Sequence, residues 1–376
     1  MDFGFSEEQD MLRQSARGML EKECPSSVVR KLMDDARGYD PELWKKMGGL
    51  GWHGLVLPEE FGGAGLGYVD LVVVLEEMGR VLLPSPFIWT VLFGEAIRRG
   101  ASPIRQREIL PKVAKGDLIG TLAHMEASGA YGADGIMMPA RRDGQGFVIE
   151  GQKLFVPDAH IADWMIVATR MGETGTHGIT LFAIEAKRAG VTVVPLKTMD
   201  QTRKLFEVRF DEVHATADDV LGEPDHGWRI LGPLIDRGKL MMAAEMCGGA
   251  QKAMEMAVDF AKIREQFGRP IGSYQAISHK CANMLMDVEG AKSATYAAAW
   301  AVSSGADDAT LGVAIAKTAA SDAYRRTTAD AVQVHGGIGF TWEHDMHLYF
   351  KRSKSSEVTF GDAAYNRELV AQMIGL

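Results

Sequence analysis

Arg264-Glu265-Gln266-Phe267-Gly268-Arg269-Pro270-Ile271, followed closely by Gln275, and then Gln333-Val334-His335-Gly336-Gly337-Ile338-Gly339-Phe340 are the segments on which the reading of this chain turns. An arginine presents a planar fork of donors that suits phosphate oxygens. A Gly-Gly pair closing a long helix lets backbone N–H groups approach a ligand with no Cβ in the way. Taken singly, Arg-x-x-Phe-Gly is a solvated charge at a helix end and Gly-Gly a helix C-cap. Together, in this order and separated by helical sequence, they point to a phosphorylated cofactor.

Working outward, the helical period holds over about 229–264, 275–303 and 308–334, with a final helix after Asp362. The second stretch is dense in alanine, which permits close helix packing. Upstream, the texture from Leu118 is β-branched alternation broken by turn residues: 147–150, 164–169, 179–184, 191–194 and 205–210. Short strands at this spacing predict a small sheet or barrel. The first part of the chain is helical again. Ser6 with Gln9 is a capping-box pattern, Asp40-Pro41 opens a helix that stops at Gly48-Gly49, and another helix covers about 69–81. The glycines before it, Gly62 to Gly67, lack the Gly-x-Gly-x-x-Gly spacing of a dinucleotide fingerprint. The expected division is a helical domain at 1–117, a β domain at 118–227 and a helical bundle of four-helix type at 228–376, an α+β fold that is mainly α.

The 376 residues, 46% hydrophobic and 24% charged, provide for a sizeable core. A net charge of −9 argues against nonspecific binding to nucleic acid, so any anionic ligand must be met locally. Cys24, Cys247 and Cys281 fit neither a disulfide framework nor a zinc motif. No apolar run approaches eighteen residues, and the acids of Met1–Gln9 do not resemble a secretory signal. The expectation is a cytoplasmic protein with no membrane span. His344-x-x-His347 beside Glu343 and Asp345 reads as exposed polar surface, and no metal is expected.

With the order helices, β domain, bundle, the two opening segments resemble the flavin-contacting C-terminal domain of the acyl-CoA dehydrogenases, and the resemblance extends over the whole chain. It implies FAD lying extended between the β domain and the bundle, with its adenosine-diphosphate half reaching a neighbouring subunit of a dimer of dimers. It also implies an acyl-CoA substrate. A carboxylate base removes the α proton, the β hydrogen leaves as hydride to the flavin, and electrons pass on to an electron-transferring flavoprotein. A base of this kind must be a desolvated carboxylate, and the enolate needs hydrogen bonds at the thioester carbonyl.

Carried over residue by residue, the resemblance gives a split pattern. Arg264, Phe267, Gln275, Gln333, Gly336 and Gly337, which match the contacts to the ADP half of FAD, are all in place. Where many members have Tyr-Glu-Gly-Thr, this chain has Thr359-Phe360-Gly361-Asp362, so the usual base position is Phe360. The alternative base position on the first bundle helix is Gly238. Of the Thr-Glu-Pro-Gly-like segment only Glu126 and a loose Gly/Asp pattern survive in Met125–Asp134, with Ser128 a further candidate contact. Trp-Ile-Thr becomes Phe155-Val156-Pro157, whose proline has no hydroxyl or N–H to support the flavin ring.

Glu245 is a weak stand-in base, seven residues beyond Gly238 and roughly 10 Å along the helix. If buried, it needs a partner such as Lys239 or Arg237. Glu357 and Asp362 are weaker alternatives, read first as a solvated acid and a helix cap. Altered ring side and retained ADP side resemble subunits of heteromeric acyl-CoA dehydrogenases, which often act on bulky or unusual acyl-CoAs, including steroid-derived ones; fatty or steroid degradation is the metabolic setting implied. The alternatives are a self-sufficient homotetramer with an unconventional base, and a non-catalytic acyl-CoA-binding or structural member.

Overall fold

The structure is a computed structural model that describes residues 5–172 and 174–376. Six helices come first: α1 (Glu7–Glu23), α2 (Ser26–Asp34), α3 (Pro41–Gly49), α4 (Tyr68–Arg80), α5 (Phe87–Gly100) and α6 (Pro103–Lys115). Their starts follow local chemistry. Ser6 and Gln9 exchange side-chain and backbone hydrogen bonds as a capping box on α1, and Asp40 caps α3 ahead of Pro41.

Eight strands follow: β1 (Gly120–Ala123), β2 (Ala140–Asp143), β3 (Gly146–Pro157), β4 (Trp164–Arg170), β5 (Ile179–Glu185), β6 (Val191–Leu196), β7 (Leu205–Ala215) and β8 (Val220–Leu221). They form two four-stranded sheets, ordered β1-β4-β5-β8 and β2-β3-β7-β6. One core of side chains from both sheets, including Met165, Val167 and Phe182 from the first and Phe147, Val208 and Phe210 from the second, fills the space between them. The β segment is therefore a pair of packed sheets.

The remainder is helical: α7 (Trp228–Ile263), a small hairpin of β9 (Glu265–Gln266) and β10 (Arg269–Pro270), α8 (Gln275–Ser304), α9 (Ala309–His335), α10 (Met346–Val358) and α11 (Ala363–Met373). Helix α10 was not anticipated, because its Lys- and Ser-rich sequence, Met346–Val358, shows little amphipathic pattern.

The chain forms two compact units. One gathers residues up to Lys31, Gly67–Leu83 and Lys239–Leu376. In it, α9 packs on α8, α10 and α11, while α4 packs on α1 and α8. Glycines set the approach of α4 to α7: a Cβ on Gly79 would lie 2.0 Å from the Glu245 carbonyl oxygen, and one on Gly248 would lie 1.8 Å from that of Glu76. The other unit, Leu32–Leu66 and Pro84–Gly238, holds the two sheets with α3, α5 and α6.

Candidate functional site

In the helical unit the two segments that opened the sequence reading lie side by side. The Phe260 ring, one turn before Arg264, stacks on the His335 ring at 4.7 Å, directly before Gly336. Lys280 near the start of α8 donates to Asp330 near the end of α9 at 2.5 Å. Three helix ends thus converge: the C-termini of α7 and α9 and the N-terminus of α8.

What they expose is suited to an anion. Arg264, Phe267, Gln275, Gln333, Gly336 and Gly337 are all exposed. The α8 N-cap is Tyr274, which makes no side-chain cap bond, so the first N–H groups of a 30-residue helix face outward beside Gln275. Phe267 and Gly268 take positive φ (54° and 80°) at the tip of the β9–β10 hairpin. The Tyr274 hydroxyl donates to the carbonyl of Gln266 at 3.0 Å and braces that tip. Gly336 ends α9 at φ 64°, ψ −142°, a conformation open only to glycine, and added Cβ atoms on Gly336 or Gly337 would meet only open space.

The β unit carries the other half of the carried-over residues, and here the side chains are differently committed. Glu126 Oε1 accepts from Lys153 Nζ at 2.6 Å and from the N–H groups of Met137 and Met138 at 2.9 Å each. These contacts make Glu126 a staple of its own loop. Burial pushes Lys153 down to about 8, opposed by its pairing with Glu126. At the far end of the same loop the buried Arg170 guanidinium donates to the carbonyls of Ala133, Ile136, Gly175 and His177. Ser128 is exposed, and its hydroxyl accepts from Ala130 N–H at 3.3 Å. Phe155 sits at a bulge in β3 with φ 55° and is half-exposed. Pro157 is buried, and its carbonyl accepts from the Thr121 hydroxyl at 2.6 Å.

The two positions that the resemblance gives for the base hold Gly238 and Phe360, neither of which can accept a proton. Gly238 is buried within α7. Phe360 is buried and left-handed at φ 60°, a conformation that costs a bulky residue about 1–2 kcal/mol. Glu245 is buried too, but its partner is Arg352 of α10, 107 residues away, at 2.5 Å. Arg352 also donates to the Leu82 carbonyl. A carboxylate committed to a buried guanidinium has the geometry of a structural ion pair, the role that the sequence favours for Glu245 over that of a base. The expectation of Lys239 or Arg237 as partner is replaced by Arg352; Arg237 meets Glu95 at 3.2 Å, and the Lys239 ammonium lies over the Tyr365 ring at 5.6 Å.

Asp362 caps α11 by accepting from Tyr365 N–H, and Glu357 pairs with Arg325 and Lys354. Among the described residues no group of three or more His, Cys, Asp or Glu is placed to hold a metal. Sequence reasoning also missed Lys317, whose fully buried ammonium sits next to the Phe360 turn. Its one signal was a lone lysine among alanines.

Models of the acyl-CoA dehydrogenase N-terminal, middle and C-terminal domains match residues 6–117, 126–213 and 225–375. The chain belongs to the acyl-CoA dehydrogenase family. It is 36% identical to "Acyl-CoA dehydrogenase IpdE2" of Mycolicibacterium smegmatis, over 95% of each chain. Among solved structures it resembles butyryl-CoA dehydrogenase from Megasphaera elsdenii (28% identity, all of both chains, TM-score 0.93). It also resembles a chain of the ChsE4-ChsE5 complex from Mycobacterium tuberculosis (28% identity, 100% of this chain and 99% of that one, TM-score 0.90).

The cofactor of this acyl-CoA dehydrogenase family is FAD. An arginine with no ion pair among the described residues, an uncapped helix start and open glycines fit the ADP end of that cofactor. At the ring end the fit is weaker, because Pro157 offers no N–H and its carbonyl is already used.

Proposed function

We propose that this chain is one subunit of a heteromeric FAD-dependent acyl-CoA dehydrogenase, which converts an acyl-CoA thioester to a trans-2-enoyl-CoA. One observation carries the reading: a buried, left-handed Phe360 occupies the turn where the resemblance puts the base, while every ADP-side residue is exposed and grouped on the bundle. Bound FAD supplies a hydride acceptor for the β hydrogen. This chain's own part is to hold the ADP half through Arg264, Gln275, Gln333 and the Gly336-Gly337 turn, with Phe267 as an apolar contact. Ser128, Phe155 and Pro157 are the ring-side candidates of the β unit, the last two in β3, with Glu126 fixing the loop that carries Ser128.

The α-proton base belongs to the second chain, since Phe360 and Gly238 cannot take a proton and Glu245 is spent on Arg352. The resemblance to a chain solved in the two-component ChsE4-ChsE5 complex supports this division. The functional segments are those drawn from sequence, 1–117, 118–227 and 228–376, and electrons pass to an electron-transferring flavoprotein. The substrate is a fatty or steroid-derived acyl-CoA, and the assembly a cytoplasmic heterotetramer; among the described residues no helix is long and apolar enough to cross a membrane.

Co-expression with a second acyl-CoA dehydrogenase chain from the same genome tests the subunit assignment. The expected product is a yellow heteromer of defined mass, with little flavin on this chain purified alone. A stable, flavin-loaded homotetramer that dehydrogenates an acyl-CoA without a partner contradicts it.

A further inference from the structure

Lys317 lies midway along α9 with its side chain wholly buried. Its Nζ lies within hydrogen-bond reach of Ser321 Oγ at 3.1 Å and of the carbonyls of Ser356, Glu357 and Gly361 at 3.3, 2.9 and 2.9 Å. Two of these carbonyls belong to the last turn of α10, where intrahelical N–H partners run out; that of Ser356 also accepts from Thr359 N–H at 3.3 Å. The third belongs to the turn that carries Phe360. That turn is left-handed twice, at Phe360 (φ 60°) and Gly361 (φ 96°), and a Cβ on Gly361 would come within 2.4 Å of the Tyr365 ring. Asn366 Nδ2 braces it from α11, donating to the carbonyls of Gly361 at 3.0 Å and Asp362 at 2.9 Å. A bulky residue in this conformation persists only where its surroundings impose it.

We propose that Lys317 is the positioning residue of the Phe360 turn: its buried side chain holds 356–361 in the form that buries Phe360, and opening the turn takes up a proton as Lys317 reaches water. This deepens the functional reading and rests on it, since it matters for chemistry only if 359–362 borders the acyl-thioester site.

The proton linkage follows from the charges around the side chain. Burial pushes Lys317 down to about 7, with Lys239 of α7 adding to the effect, while Glu357 of α10 and Asp362 at the head of α11 draw it up. A lysine in water titrates at about 10.4. Between these values the open turn binds a proton that the closed turn does not, so opening becomes easier as pH falls and protection grows as pH rises.

Hydrogen exchange of amides 359–363 on the purified assembly from pH 7 to 9, corrected for intrinsic rates, reads this directly. Protection in wild type should rise by up to about tenfold per pH unit. Lys317→Met should flatten that slope and lower protection in this segment selectively. Should that variant not fold, Lys317→Arg, which stays charged in both states, should also give a flat profile. A pH-independent wild-type profile overturns the proposal, as does a slope that survives either substitution or a loss spread evenly through α8 to α11. No ligand is needed, so failure here leaves the acyl-CoA reading standing, and failure of the co-expression test leaves this result standing.

Discussion

Single side chains in this protein are settled by where their charge goes. Glu245 shows it: Arg352 at 2.5 Å turns an acid in the middle of α7 into half of a buried pair. Removing one partner strands the other, so Glu245→Leu should cost about 3–5 kcal/mol in urea unfolding, and adding Arg352→Met should recover much of it. His53 is the opposite case, a buried ring packed on Trp44 at 3.8 Å and held neutral, with its pKa pushed down to about 3 by burial. Because the unfolded histidine titrates near 6.5, unfolding takes up a proton between these values, and stability should fall by about 1.4 kcal/mol per unit as pH drops from 6.5 towards 3. His53→Phe should lose that share of the slope, measured by denaturation at pH 7, 6, 5 and 4. An ion pair for Glu245 was legible, but its partner was not, since a residue 107 positions away leaves no local mark, whereas the cap of Ser6 on Gln9 was legible because both halves lie within one turn.

Among elements, the readable ones carry their own period or cap. Helices α1, α3, α4 and α7 to α9, with strands β3 to β7, follow the stretches expected from periodicity and turn residues. Helix α10 did not, because what holds it is tertiary: the Thr328 and Ser353 hydroxyls in contact at 3.0 Å, the Tyr349 hydroxyl on the Arg80 carbonyl, and the Arg352 pair. The glycines of α4 and α7 were equally silent, since mid-helix Gly reads as a defect until the neighbouring backbone is seen. Their role gives a prediction: Gly248→Ala puts a Cβ 1.8 Å from the Glu76 carbonyl oxygen and should cost about 1–3 kcal/mol. The same exchange at Gly290, where a Cβ meets nothing within 4 Å, should be neutral or slightly stabilising in the same thermal melt.

For the molecule as a whole, sequence carried the order of helices, sheets and bundle and the segments that meet at the helix ends of the bundle, because Arg264, Phe267 and the Gly336-Gly337 pair are set by local backbone. The ring side was legible only as departures, Phe155 to Pro157 and the Met125–Asp134 loop, whose commitments to Lys153 and Thr121 required coordinates. If the bundle holds the ADP half, Arg264→Ala should weaken flavin retention by about tenfold or more, since a guanidinium–phosphate bond is charge-assisted, and leave the melting temperature of flavin-free protein unchanged. The central claim is that this chain lacks the α-proton base and depends on a second chain for it. Anaerobic titration of the flavin absorbance with acyl-CoA, on this chain alone and on the two-chain assembly, tests that most directly. Bleaching is expected only in the assembly, with its loss when the partner's base carboxylate is changed to an amide; bleaching of this chain on its own would contradict that dependence.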